Sequence, residues 1–213
     1  MKINTRLRLL VLPTAFAIAF PALAFQYPLS PEAIREAYFL GSRNDVQSAE
    51  VFEKYVHPLP KLENGPHIAW IGIETPYVFV ATEMAKSPND RAQEAEQRFL
   101  GKPQIFRVRV EIDFTPTYPN PTVPSHSGLG VFLVPDFWKA FKIKLIQDHE
   151  IPSQAVLAGP IYSYYAGDVT GIVGAEIEVD YNPEQIDSTP INVEVITPDG
   201  QDVKTTFDLS TLK

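Results

Sequence analysis

Between residues 106 and 114 the chain alternates without a break. Phe106, Val108, Val110, Ile112 and Phe114 are apolar, and Arg107, Arg109, Glu111 and Asp113 between them are charged. Successive side chains of a strand point to opposite faces, so the pattern builds one apolar face and one charged face; a helix would scatter the same residues around its circumference. The stretch is a long amphipathic strand whose apolar side needs a cover.

The C-terminal half of the chain supplies strands of the same kind. Phe141, Ile143 and Leu145 alternate with Lys142 and Lys144. Val173, Ala175, Ile177, Val179 and Tyr181 alternate with Glu176, Glu178 and Asp180, and Ile191, Val193 and Val195 with Asn192 and Glu194. Residues 129–134 and 155–165 are apolar almost throughout, and Gly159-Pro160 marks a bulge or an edge position. Thr197-Pro198-Asp199-Gly200 is a hairpin turn, after which Val203, Thr205, Phe207 and Leu209 share one face. These make about seven strands from residue 106 onward, and antiparallel strands with one apolar face each are buried by stacking two sheets. In strand count this resembles the immunoglobulin-like and fibronectin type III sandwiches, without the Cys…Trp…Cys signature.

The pattern before residue 104 is helical. Ser30-Pro31-Glu32 starts a helix with Ile34, Ala37 and Tyr38 on one face, and Gly41 is placed to close it in a left-handed conformation. A second helix is expected at 45–56, with Ala49, Phe52 and Val56 on its apolar side. Residues 68–73 read as a strand. At 75–85, Thr75-Pro76 punctuates a helix while Val78-Phe79-Val80 favours a strand, and both remain open. A polar helix begins after Asp90 and is closed by Gly101. Residues 115–128 carry four prolines and form a stiff crossing loop. The expected fold is α+β: a helical portion at 25–103 packed on an antiparallel β-sandwich at 104–213.

Composition adds a compartment. Lys2, Arg6 and Arg8 precede an apolar run at 9–20, and Ala22-Leu23-Ala24 supplies small residues, the pattern of a secretory signal peptide at 1–24 cut after Ala24. The apolar run is short for a membrane span. Cleavage would take the net charge from −8 to −11. Such an acidic chain is repelled by nucleic acid and by anionic membrane surfaces. There is no cysteine, so the fold is disulfide-free and rests on its core. A soluble, secreted or periplasmic bacterial protein is the expectation.

Several residue groups could carry chemistry. Asp148-His149-Glu150 puts three metal-ligand types in a row, without a second histidine at the spacing zinc sites use, and a solvated turn explains it as well. His126 lies between Ser125 and Ser127, but nucleophile and base usually meet from distant chain positions. Glu176, Glu178 and Asp180 line one strand face, which suits either calcium or plain solvation, and Arg107, Arg109, Glu111 and Asp113 can pair across to neighbours. Tyr162, Tyr164 and Tyr165 would form a surface for a protein or glycan partner if exposed. Nothing in the pattern calls for a cofactor.

The run YPLSPEAIREAYFLG near the expected mature start, together with the PDG hairpin and the FDL ending, resembles a group of secreted bacterial proteins without an assigned role. That resemblance implies a C-terminal β-sandwich and no activity. The leading expectation is an exported, non-catalytic binding or envelope-associated module. The alternatives are a secreted hydrolase using His126 or His149 with nearby acids, and a calcium-stabilised adhesion-type module.

Overall fold

The computed structural model describes residues 25–43, 45–87, 90–118, 136–165 and 168–213, with the side chains at 164–171 outside the description. Among these residues are four α-helices and two antiparallel sheets, a mixed α+β architecture.

The first helix, α1 (Pro31–Ser42), starts as its punctuation dictates. The Ser30 hydroxyl accepts from the Ala33 N–H at 3.2 Å, Pro31 fills the first turn, and Ile34 and Ala37 are fully buried. Gly41 does not end this helix in a left-handed turn. It lies inside the last turn, where the backbone of a second helix presses against it. The next helix, α2 (Val46–Glu53), is capped by Asp45 and stops short of Val56. Val56 therefore opens a strand, β1 (Val56–Pro58), instead of completing a helical face.

At the ambiguous stretch the helix forms: α3 (Pro76–Ala85) comes directly after β2 (His67–Glu74). Thr75 accepts from the Val78 N–H at 3.3 Å and Pro76 needs no hydrogen bond at the first position. The β-branched residues then serve burial: Val78, Val80, Ala81 and Met84 are all in the core, as expected of a helix apolar around most of its circumference. Helix α4 (Ala92–Phe99) is polar, buries Ala95 alone, and is followed by Gly101 at φ +73°.

The amphipathic stretch is β3 (Phe106–Asp113), central in a five-stranded sheet ordered β1-β2-β3-β7-β6. Here β6 spans Ser153–Tyr165 and β7 spans Asp168–Tyr181. Val108 pairs with Ile73 on one side and Val179 on the other, and Val110 with Ile71 and Ile177. Phe106, Val108, Val110 and Ile112 are fully buried. Each such side chain contributes roughly 1.5–3 kcal/mol of burial. The sheet is continuous across residue 104, since β2 pairs along its length with β3.

The second sheet is ordered β5-β4-β8-β9, with β4 at Lys142–Ile146, β5 at Glu150–Ile151, β8 at Pro190–Ile196 and β9 at Asp202–Asp208. Strands β8 and β9 form the expected hairpin, its turn closed by the Thr197 N–H on the Gln201 carbonyl at 2.9 Å, with Gly200 at φ +86°. Leu145, Ile191, Val193, Val195 and Phe207 join the apolar side of the first sheet in one core, and the His57 ring meets the Phe207 ring at 4.6 Å. The segment 119–135, with the second half of the proline loop, the apolar run at 129–134 and His126, lies outside the described residues.

Candidate functional site

The charged face of the five-stranded sheet is organised by two arginines on β3. Registers with β2 and β7 put Glu74, Arg107, Arg109, Glu176, Glu178 and Asp180 on one side. Arg107 grips Asp180 with two donors, Nε at 2.6 Å and Nη2 at 3.2 Å, and reaches Glu178 through Nη1 at 2.7 Å. Arg109 bonds Glu176 through Nε at 2.8 Å and Nη2, and turns Nη1 to Glu74 at 3.0 Å. The guanidinium of Arg107 also lies over the Phe79 ring and that of Arg109 over the Trp70 ring, each 5.5 Å from the centroid. Four carboxylates are thus served by two cations, and the array is net negative.

Burial alone would lower the pKa of both arginines. For Arg107 the hydrogen bond and charge of Asp180, with Glu178, outweigh it, and for Arg109 the charges of Glu176 and Glu74 do, so both are held charged more firmly than usual. Glu74 shows the opposite balance. Desolvation raises its pKa, and the favourable charges of Arg109 and Arg107 do not fully offset the rise.

Glu74 and Arg109 both line a cleft of about 240 Å³ between this face and the helices. Phe52, Val56, Trp70, Val78 and Ala85 are among its walls, and Gly72, without a side chain, lets the Trp70 ring and the Tyr55 carbonyl pack close against the strand. The Glu74 residue is 6% exposed, and Arg109 is its hydrogen-bond donor among the described residues. A carboxylate has about four acceptor positions. A largely apolar cleft lined by a desolvated carboxylate with acceptor capacity to spare fits the general form of a small-ligand site.

The residues singled out from the sequence fall elsewhere or into the array. Glu176, Glu178 and Asp180 do share a face, and their oxygens are engaged by Arg107 and Arg109. Asp148 and His149 are exposed in the turn between β4 and β5, where the Gln147 N–H meets the His149 carbonyl at 3.1 Å, and Glu150 pairs with Lys144 at 3.4 Å. Among the described residues no group of three or more acids and histidines is placed to hold a metal ion. Tyr162 is 44% exposed on β6. The side chains of Tyr164 and Tyr165, like His126, lie outside the description.

Glu74 was the residue that sequence reading missed. The signal was available in part: Trp70, Gly72 and Glu74 keep a period of two, which puts them on one face of β2. That this face is the one carrying Arg109 emerges only from the pairing register, which no local pattern supplies. No family model matches the chain, and neither a curated protein sequence nor a solved structure matches it.

Proposed function

We propose that this protein is an exported, non-catalytic binding module and that the Glu74 cleft takes a small apolar molecule bearing a protonated nitrogen. One observation carries the reading: the cleft walls are largely apolar and include a buried carboxylate, Glu74, with a single donor among the described residues, the lining residue Arg109. The walls would take the hydrocarbon part, and the N–H groups of an amine or amidine would use the remaining acceptor positions of Glu74. The negative excess of the neighbouring array favours a cation over an anion.

Export rests on the basic start, apolar run and small residues before Phe25. The same reading has the two sheets facing one another as a sandwich with the helices against it, supported by the shared core and the His57–Phe207 contact. A binding role fits the three described histidines better than hydrolysis. His57 packs on Phe207, His67 is buried, and His149 stands in an exposed turn.

The test uses Trp70 as reporter in a Trp138→Phe background, since the chain has two tryptophans. Benzylammonium should change its fluorescence saturably and benzyl alcohol should not. Glu74→Gln should weaken the response by about tenfold or more, which corresponds to about 1.4 kcal/mol. Equal responses to both probes, or no saturable response to benzylammonium, would remove the proposal.

A further inference from the structure

The outer edge of β6 is a second surface, independent of the cleft. The strand runs for 13 residues, ends the sheet order among the described residues, and carries no charged side chain from Ser153 to Tyr165. Val156 is 62% exposed, Leu157 55% and Tyr162 44%. Edge strands of soluble proteins are normally protected by lysines, bulges or short length, because their free N–H and C=O groups template another strand. Among the described residues this edge has only Pro160 and irregular register at 153–155 and 161–164.

Pro160 fixes which groups face outward. It pairs with Ala175 of β7 and has no N–H, so that pair cannot be a hydrogen-bonded one, and its backbone points away from β7. The register is unbroken from Ala155 to Ile161, so Val156 and Ala158 share that orientation. Two donors and three acceptors then line the edge.

Each side of the edge has its own chemistry. On the core side a cleft of about 450 Å³ opens between Val156 and Ala158 of β6 and Trp138, Phe141 and Ile143. On the other side a groove passes over Gly159 to Glu176 and Glu178, whose side chains are about a quarter exposed. Gly159 stands directly beside Glu176 in the register. A residue opposite Gly159 on an added strand would be two strand spacings from Glu176, about 10 Å, a gap that lysine and glutamate side chains close between them.

We infer that the β6 edge receives an extended segment of a partner protein, apolar on the face toward Trp138 and Phe141 and basic on the face toward Glu176 and Glu178. Strand addition of this kind takes affinity from main-chain hydrogen bonds and specificity from alternate side chains. A second copy of this chain does not fit. Its own β6 offers no basic residue, and two chains each of net charge −8 repel.

The probe is a dye-labelled Val-Lys-Val-Lys-Val-Lys-Val peptide, compared by fluorescence anisotropy with its Val-Glu counterpart. The purified protein should bind the first saturably and at least tenfold more tightly than the second, and high salt should narrow that gap. Ala158→Pro removes an outward donor without touching the β7 ladder, and should weaken binding by tenfold or more. Gly159→Lys should do the same by charge, because it sets an ammonium group in front of Glu176, and it is sterically free because a Cβ there meets nothing within 4 Å. If Ala158→Pro does not fold, the lysine variant decides. Absence of binding, equal binding of both peptides, or full binding by a folded variant would overturn the inference. So would a concentration-dependent dimer that Ala158→Pro dissociates.

Discussion

The Cβ that Gly41 lacks would fall 1.9 Å from the carbonyl oxygen of Ala81. The two helices α1 and α3 therefore touch backbone to backbone, and the missing methyl group sets their separation. Gly41→Ala should force α1 off α3 and cost about 3 kcal/mol, the upper end for overpacked cores. Gly159→Ala, with open space around the new atom, should change stability by no more than about 0.5 kcal/mol from contacts. Urea denaturation of both variants checks the contrast.

Glu74 makes a pH prediction whose sign is opposite to that of an ordinary salt-bridged acid. Its pKa is raised from 4.5 by burial, so the folded protein holds the proton more tightly than the unfolded chain. Its contribution to stability is least favourable above the raised value, improves as pH falls through it, and is complete below 4.5. Glu74→Gln should remove this component while leaving Arg109 its bonds to Glu176. Melting temperatures of wild type and variant at pH 5 and pH 7 test it. The variant should gain on wild type at pH 7 relative to pH 5, and a gain at pH 5 instead would contradict the assignment.

Tyr181 is 1% exposed, and its hydroxyl has no hydrogen-bond partner among the described residues. Burial, with the charge of Glu150 behind it, pushes the phenol pKa up. A buried unpaired hydroxyl costs about 1–3 kcal/mol of desolvation. Tyr181→Phe keeps the ring in the core and should be neutral or stabilising by about 1 kcal/mol in thermal melts.

These residues also mark where the fold was legible in sequence. Strand β3 was, because alternation over 106–113 leaves no helical alternative and burial tracks it position by position. The α1 start and the β8–β9 turn were, because capping and turn chemistry are local. At 76–80 local β-propensity and a local cap disagreed, and burial of Val80, Ala81 and Met84 against other elements decided for the helix. Gly41 was misread because close approach to Ala81 is a tertiary fact that looks, in sequence, like a helix stop. The joining of β2 to β3 and of β3 to β7 is equally non-local, and with it the meeting of Glu74, Arg109 and Glu176.

The acidic row on β7 yields the last prediction. Calcium takes six to eight oxygen ligands and would need Glu176, Glu178 and Asp180 free to turn toward it. Instead Asp180 has both oxygens on Arg107, and Glu176 is held by Arg109. Binding calcium would strand two guanidinium groups whose side chains are 14% and 30% exposed. Millimolar calcium should therefore leave the melting temperature of the wild-type protein unchanged. Replacing both Arg107 and Arg109 by glutamine would leave four neighbouring carboxylates without their cations, lower stability at low salt, and create a response to calcium that the wild type lacks. A rise of several degrees in the wild type would mean that the arginines yield the carboxylates readily, and that the row is a cation site in its own right.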